Sequence, residues 1–249
     1  MAYGINPNYF NASHRKVPYT KVEVNMPDKP RLERQAMCDR LAMEFQNDWI
    51  VNLGVGMPTL CSNYIDDSKE IIFHSENGVI GYGPLSQEGH EDQHLVNAGG
   101  QNVTQMPGMA IVHHADSFAL IRKGMVDVTV MGAYEVSENG DFANWRIPTR
   151  KGGGIGGAMD LAACAKRVFI AMEHTTRDGD PRMLKRCQLP ITAPGAVTMV
   201  ATDLGLFLVK DTGFELKEHA PGWTLADIQE LTEAELSAAP DLKEFRFRD

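Results

Sequence analysis

Residues 71–78 read IIFHSENG, a short apolar run that stops at a polar turn. The branched and aromatic side chains at its start predict a buried strand. Asn77 and Gly78 favour a tight turn, because both residue types adopt positive φ at low cost. Turns at the carboxyl ends of buried strands are where open α/β folds bind ligands. Glu76 is therefore a candidate nucleophile, acid or base, and the competing interpretation is a charged loop residue without a role.

Strand and helix patterns alternate around this stretch. Residues 49–53 read as a buried strand, followed by the glycine loop Gly54-Val55-Gly56 and a helix that begins near Pro58. Such a loop lets a ligand approach backbone amides at a helix N-terminus. Two glycines alone do not make a dinucleotide-binding fingerprint. Further strands are predicted at residues 126–133, 141–147 and 167–172.

The pattern changes after residue 196. Strands separated by short turns follow up to residue 216, as in an antiparallel meander, and residues 224–227 resemble a helix capping box. The whole order predicts an α/β fold, with a mostly parallel open sheet flanked by helices and a β-rich C-terminal part.

Three parts are predicted along the chain. Residues 1–27 show no clear period and read as an N-terminal arm, and residues 28–238 form the main domain. Residues 239–249 are charged and are expected to fray as a C-terminal tail. Within the domain, residues 81–92 read as part of a long loop, which in a compact domain is mobile or functional.

Composition and charge exclude several classes of protein. The formal net charge of −9 argues against nucleic-acid binding, which needs a basic face. No apolar run reaches the ~20 residues of a membrane span. The N-terminus has no apolar core typical of a secretory signal, although its basic, acid-poor composition leaves a transit peptide open. The expected location is the cytoplasm.

Cysteines and histidines give no metal-binding pattern. The four cysteines are scattered without a CxxC pair, which fits free thiols in a reducing compartment: Cys38, Cys61, Cys164 and Cys187. Three histidines lie near acidic residues, but their spacing is unlike that of a zinc enzyme: His90, His94 and His113. We therefore expect no metal site.

A second glycine-rich segment has the features of an anion-binding nest. Residues 152–157 read GGGIGG and lead directly into an apolar helix that starts with Ala158. Backbone amides at such a junction point toward a common centre. We favour this interpretation over a flexible linker, because linkers rarely run straight into an apolar helix and strand.

The tetrapeptide Ser-Glu-Asn-Gly occurs twice, at residues 75–78 and 137–140, each time after an apolar strand. Composition does not separate Glu76 from Glu138. Both glutamates have turn geometry and neighbouring amides, so residue types alone leave the choice between them open.

Several runs together resemble the β (B) subunit of the class I coenzyme A (CoA) transferases, the 3-oxoacid CoA-transferase family. The similarity extends from about residue 30 to residue 230, in the family's order and close to its spacing. The runs are NLGVGMPT (52–59), HSENGV (74–79), NAG (97–99), VT (103–104), PG (107–108), SFA (117–119), IR (121–122), DFANW (141–145), GGAMDL (156–161), MEH (172–174) and LPIT (189–192).

The resemblance implies roles for individual residues. The family's covalent nucleophile matches Glu76, and Glu138 falls where the family is variable. The oxyanion-hole amides match Gly157 and Ala158. The remaining implied substrate- or CoA-binding residues are Asn52, Gly54, Gly56, Asn77, Gly78, Asn97 and Asn144.

The implied activity is CoA transfer between an acyl-CoA donor and a carboxylic acid, a 3-oxoacid or a dicarboxylate, by a ping-pong reaction through a Glu76–CoA thioester. Coenzyme A is then a substrate, and no further cofactor is implied. The family also implies an α (A) subunit as partner in an α2β2 assembly, and a place in ketone-body, aromatic or fatty-acid catabolism.

The sequence departs from the family pattern at a position that bears on the substrates, and two alternative functions remain open. Members acting on acetoacetate usually carry lysine where this chain has Gly100, which leaves donor and acceptor open. The first alternative is a hydrolase of CoA-linked ring intermediates on the same fold, and Glu76 argues against it. The second is a non-catalytic partner subunit, against which the intact set of Glu76, Gly157 and Asn144 argues.

Overall fold

A computed structural model of the protein describes residues 29–66, 68–149 and 151–246. The predicted N-terminal arm lies outside the described residues. Within them the helices are α1 (Arg34–Ala42), α2 (His114–Arg122), α3 (Ala158–Cys164) and α4 (Leu225–Glu230), with a 3₁₀ helix at Met57–Tyr64.

Thirteen strands are found in the described part of the chain. They are β1 (Ile50–Leu53), β2 (Ile72–His74), β3 (Val79–Tyr82), β4 (Ala110–Ile111), β5 (Val128–Met131), β6 (Glu135–Ser137), β7 (Phe142–Ala143), β8 (Val168–Ala171), β9 (Met183–Leu184), β10 (Val197–Ala201), β11 (Gly205–Lys210), β12 (Gly213–His219) and β13 (Leu236–Glu244).

Ten of these strands form one sheet in the order β13-β12-β11-β10-β8-β5-β1-β2-β3-β4. The five central strands, β10, β8, β5, β1 and β2, are parallel, whereas β3, β4, β11 and β12 pair antiparallel. The predicted fold class is therefore confirmed. β2 lies on one side of β1 and β5 on the other, so the strand order reverses between β1 and β5. Open α/β sheets bind ligands at the carboxyl ends of the strands that flank such a point.

The core of the domain lies along the central parallel strands of the sheet. Every residue of β5 and β8 is buried, as is usual where both faces of a sheet are covered. Their side chains join one continuous core with those of β1, β10 and β11. A smaller sheet, in the order β7-β6-β9, lies beyond the end of β5.

Three sequence-based expectations about elements need correction. The loop predicted from residue 81 begins later, because residues 79–82 form β3, and Gly81 fits there with a φ of 73°. The strand predicted at residues 141–147 is shortened to β7. The tail predicted to fray contains most of β13, which crosses the proposed boundary at residues 238 and 239 and pairs in parallel with β12.

Neither a membrane span nor a metal cluster is found in the part of the chain that the structure describes. No helix there is long and apolar enough to cross a membrane. The same ranges contain no group of three or more histidine, cysteine, aspartate or glutamate side chains placed to hold a metal ion.

Candidate active site

Glu76 lies at the tip of the tight turn between β2 and β3. The turn is closed by two backbone hydrogen bonds, from Ser75 N to Val79 O at 2.8 Å and from Gly78 N to Ser75 O at 2.9 Å. Gly78 has a φ of 111°, and a Cβ there would come closer than 3.0 Å to the carbonyl oxygen of Val112. Only glycine fits this position without a shift, which explains the Asn-Gly end of the motif.

The buried side-chain amide of Asn52 donates a hydrogen bond to the Glu76 carboxylate. Asn52 lies on β1, directly beside His74 in the register with β2, and is fully buried. Its Nδ2 donates to Glu76 Oε2 and to the His74 carbonyl oxygen, each at 3.2 Å. The Thr129 hydroxyl on β5 donates to Asn52 Oδ1 at 3.1 Å, so the amide is held from both ends.

His74 extends this polar cluster to α2. Its Nδ1 lies 3.2 Å from Asn52 Nδ2, and its Nε2 lies 2.9 Å from the Ser117 hydroxyl. That hydroxyl in turn donates to the Ser75 carbonyl oxygen at 3.2 Å. Burial lowers the pKa of His74, and the nearby Glu76 carboxylate and the hydrogen bond at Ser117 oppose this only in part. Burial therefore favours the neutral form of the imidazole.

Gly157 faces Glu76 from the start of α3. A Cβ built on Gly157 would lie 3.8 Å from Glu76 Cγ and 3.1 Å from Phe118 Cζ, so a larger residue would crowd the Glu76 side chain. Gly157 caps α3 and Ala158 is its first residue, with the exposed glycines 152–154 just before them. The structure thus brings the predicted nucleophile to the predicted anion-binding segment.

The loop after β1 contacts the end of β5 and the turn at residues 97–101. Gly54 N donates to Val130 O at 2.8 Å, and a Cβ on Gly54 would lie only 3.0 Å from that oxygen. Gly56 has a φ of 90° and accepts a hydrogen bond from the Thr59 hydroxyl. The exposed Val55 side chain lies 3.6 Å from the position that a Cβ on Gly99 would take, so this loop meets the turn at residues 97–101.

Two predicted binding residues hold that turn together. Asn97 Oδ1 accepts hydrogen bonds from the amides of Gly99 and Gln101, at 2.9 and 3.1 Å. Asn77 Nδ2 donates to the carbonyl oxygen of Val96 at 2.7 Å, which ties the Glu76 turn to the same segment. Their binding roles stay predictions, and in the structure both side chains bond to backbone groups.

Asn144 lies directly after β7. Its Nδ2 donates to Gly132 O at 3.1 Å, and the Thr192 hydroxyl donates to its Oδ1 at 2.7 Å. No hydrogen bond joins Asn144 to Glu76 in the part of the chain that is described. Its predicted role in substrate binding also stays a prediction.

The duplicated motif forms the same turn in a different setting. Ser137 N donates to Asp141 O, and Gly140 N donates to Ser137 O, each at 2.9 Å, as in the Glu76 turn. Glu138, however, lies beside Gly213 in an open cleft of about 490 Å³ that Asp211 and Glu235 also line. Tertiary surroundings therefore separate Glu76 from Glu138.

Sequence reasoning gave no role to three residues of the cluster, His74, Thr129 and Ser117. His74 directly precedes the first Ser-Glu-Asn-Gly motif, whereas the apolar Val136 precedes the second. The polar residue before the first motif is therefore the sequence feature that points to a role for His74. Thr129 and Ser117 lie far from Glu76 in the sequence, and only the strand register and the placement of α2 reveal them.

Comparisons with known proteins identify the family to which the chain is similar. The family model for coenzyme A transferase matches residues 34–231. The chain is 44% identical over 202 residues to the B subunit of the succinyl-CoA:3-ketoacid coenzyme A transferase of Helicobacter pylori, covering 81% of this chain and 97% of that protein. It is also 44% identical over 209 residues to the beta subunit of the acetate CoA-transferase of Escherichia coli, covering 84% and 95%.

A solved structure shows the same fold. An acyl-CoA transferase apoenzyme from Escherichia coli O157:H7 superposes with a TM-score of 0.68 at 22% identity, covering 88% of this chain. The chain spans 44% of that protein's length.

Proposed function

Because the chain belongs to the coenzyme A transferase family, we propose that it is the subunit of such an enzyme that carries the covalent nucleophile, Glu76. Relatives at 44% identity are named as B or beta subunits, so an α (A) subunit is proposed as the partner, in an α2β2 assembly. The four cysteines carry free thiols, which suits the proposed cytoplasmic location.

The proposed reaction balances without any redox step or net proton transfer. The Glu76 carboxylate attacks the donor acyl-CoA carbonyl, and the carbon–sulfur bond breaks to give a mixed anhydride and CoA thiolate. The thiolate attacks the glutamyl carbonyl, forms the Glu76–CoA thioester and releases the donor acid as its carboxylate. The acceptor carboxylate then runs the same two steps in reverse. This is ping-pong covalent catalysis.

The observation that supports the proposal is the position of Glu76 between a buried amide donor and the start of α3. Asn52 fixes one carboxylate oxygen, and Gly157 leaves room beside the side chain. Each addition step creates an oxyanion, for which the amides of Gly157 and Ala158 are the proposed donors. One such donor typically contributes about 3 kcal/mol to the stabilisation of the transition state.

The substrate acids are proposed more broadly, as 3-oxoacids, dicarboxylates or short carboxylic acids. The two relatives are named for a succinyl-CoA and 3-ketoacid pair and for acetate. Gly100 has a φ of 74°, and no atom lies within 4 Å of the position that a Cβ would take there, so this corner of the turn is open. A screen of succinyl-, acetyl-, 3-oxoacyl- and glutaryl-CoA donors against the matching acids will identify the pair.

The covalent intermediate gives the decisive test. The chain is purified with its partner subunit and given acyl-CoA without an acceptor, and its peptides are then mapped by mass spectrometry. We expect a CoA adduct on Glu76, which is absent in Glu76→Gln and retained in the matched variant Glu138→Gln. An adduct on Glu138, or turnover without any adduct, would refute the proposal.

The same reaction discriminates the hydrolase alternative. A thiol assay measures free CoA while acceptor is withheld. A transferase releases at most about one equivalent of acid and holds CoA on the enzyme, whereas a hydrolase releases free CoA continuously. A non-catalytic subunit would give neither signal.

A further inference from the structure

We propose that Asn52 is a catalytic hydrogen-bond donor to Glu76 Oε2, specific for the steps in which the glutamyl carbon itself is attacked, and that neutral His74 keeps its amide in the donating orientation. This inference rests on the proposed function, because it assigns a role within the Glu76 reaction. It goes beyond a binding contact for Asn52, whose fully buried side chain lies under the nucleophile.

The chemistry of the neighbours fixes the orientation of the Asn52 amide. The atom that lies 3.2 Å from Glu76 Oε2 also lies 3.2 Å from the carbonyl oxygen of His74. Both oxygens only accept hydrogen bonds, so the atom between them is Nδ2. A flipped amide would place its oxygen against two acceptors and lose both bonds. Thr129, whose hydroxyl donates to Oδ1, completes the arrangement.

This orientation also fixes the tautomer of His74. Its Nδ1 lies 3.2 Å from Asn52 Nδ2, whose two hydrogens are shared among Glu76 Oε2, the His74 carbonyl oxygen and this ring nitrogen. A hydrogen on Nδ1 would point at those hydrogens and find no acceptor, so Nδ1 is the unprotonated nitrogen of the ring. The proton of the neutral ring is then on Nε2 and is donated to the Ser117 hydroxyl at 2.9 Å. The Ser117 hydroxyl donates its own hydrogen to the Ser75 carbonyl oxygen. Every donor in the chain from Thr129 to Ser75 thus has an acceptor.

The hydrogen bond from Asn52 Nδ2 to Glu76 Oε2 changes in strength during the reaction. With Oε2 held by Asn52, Oε1 is the free oxygen that attacks the substrate carbonyl. In the anhydride and the thioester, Oε2 is the glutamyl carbonyl oxygen, and it becomes the oxyanion when thiolate or carboxylate attacks that carbon. A hydrogen bond to a full negative charge is stronger than one to a neutral carbonyl, so the donor stabilises the transition state selectively. The amides of Gly157 and Ala158 then remain for the oxyanion formed on the substrate carbon.

Protonation of His74 would disrupt this arrangement. A proton on Nδ1 would face the Asn52 donor and force the amide away from Glu76. The charge that acts on His74 is the Glu76 carboxylate, and buried Tyr82 on β3 is the other titratable group that Glu76 affects. Asn52 on β1 and Ser117 on α2 contact the ring, Thr129 on β5 bonds to Asn52, and none of the three carries a charge. Burial keeps the pKa of His74 low, which favours the neutral ring.

The first test follows the half-reaction in the assembled enzyme. Rapid-quench mass spectrometry measures the rate of Glu76–CoA thioester formation from acyl-CoA in the native enzyme, in Asn52→Ala and in the nearly isosteric Asn52→Asp. We expect a rate about 100- to 1,000-fold lower in both variants. A thioester that forms at the native rate in Asn52→Asp would overturn the assignment. A native enzyme that forms no thioester would instead refute the proposed function.

The second test separates positioning from packing at His74. Glutamine offers an acceptor to Asn52 and a donor to Ser117, as the Nε2-protonated ring does, whereas leucine offers neither. We expect His74→Gln to keep thioester formation within about tenfold of native, and His74→Leu to lose about 100-fold. The exposed His90→Gln serves as the matched control, and thermal melting of each complex checks its folding. Equal rates in the two His74 variants would contradict the positioning role.

The third test observes the tautomer directly. The chain is labelled with ¹⁵N-histidine, and the signal that disappears in His74→Gln identifies this residue. At pH 7 we expect the nitrogen shifts of a neutral ring with its proton on Nε2. A proton on Nδ1, or an imidazolium, would overturn the inference even if Glu76 carries the thioester.

Discussion

Replacing Gly78 by alanine tests whether the Glu76 turn is held as tightly as the structure indicates. Two separate penalties apply at this position. The φ of 111° disfavours any residue with a Cβ by about 1–2 kcal/mol. The Cβ would also come closer than 3.0 Å to the Val112 carbonyl oxygen, and overpacking of this kind costs about 1–3 kcal/mol. We expect a combined loss of about 3 kcal/mol in the free energy of unfolding.

Gly89→Ala supplies the control for the backbone penalty. Gly89 has a φ of 81°, but no atom lies within 4 Å of a Cβ built there. Its replacement should cost about 1 kcal/mol. The difference between the two variants in urea unfolding therefore measures the clash at Gly78 alone. Similar losses in both variants would refute the tight contact between the turn and Val112.

The same variant should impair catalysis. Val112 directly precedes His113, the N-cap of α2, and α2 carries the Ser117 hydroxyl that binds His74. To relieve the clash, either the turn or the start of α2 must move, and both hold the Glu76 cluster. A displacement of about 1 Å typically costs about 100-fold in rate. Steady-state kcat measurements on the assembled enzyme check this, and an unchanged kcat in a destabilised Gly78→Ala would contradict the reasoning.

Three further predictions concern other parts of the molecule. Gly157→Ala should cost about 1 kcal/mol in the free energy of unfolding and more than about tenfold in kcat. The added methyl group would lie 3.1 Å from Phe118 Cζ and crowd the Glu76 side chain. A denaturation curve and an activity assay check the two effects. Buried His174 has a pKa lowered to about 3, chiefly by burial, so between pH 6.5 and that value the unfolded chain binds a proton that the native chain does not. Stability should therefore fall with decreasing pH by about 1.4 kcal/mol per unit from this residue, and His174→Gln should show a flatter pH dependence in calorimetry. Arg40→Met should lower the free energy of unfolding, measured in urea, by about 3 kcal/mol. The substitution leaves the buried Glu218 carboxylate without the guanidinium that donates to it at 2.6 and 2.9 Å. Replacing Arg40 and Glu218 together should cost less.

The central sheet was predictable because local pattern and tertiary environment agree there. β8 is a continuous apolar run, β5 is apolar except for Thr129, and every residue of both strands is buried. The capping box at Thr224 starts α4 as predicted. β13 was missed because it lies at the sheet edge, where charged residues and even Pro240 are tolerated. Its pairing depends on β12, and no local pattern carries that information.

The sequence selects a candidate nucleophile, Glu76, but does not predict the surroundings of that side chain. Motif and resemblance together selected Glu76 over Glu138. The hydrogen bond from Asn52, however, follows from the register that places Asn52 beside His74 on neighbouring strands. A shift of one residue would turn the amide to the other face of the sheet, and sequence alone does not set that register.

The spread of the Glu76 cluster along the chain has a consequence for biosynthesis. His74 and Ser117 are 43 residues apart, and Gly157 is synthesised later still. At translation speeds of about 5–20 residues per second, the ribosome exposes the turn seconds before α2 and α3 have emerged. The nascent chain thus carries Glu76 and Asn52 before Ser117, Thr129 and Gly157 have been synthesised. The proposed covalent reactivity toward acyl-CoA therefore requires that α3 has been synthesised and that folding has joined these distant segments.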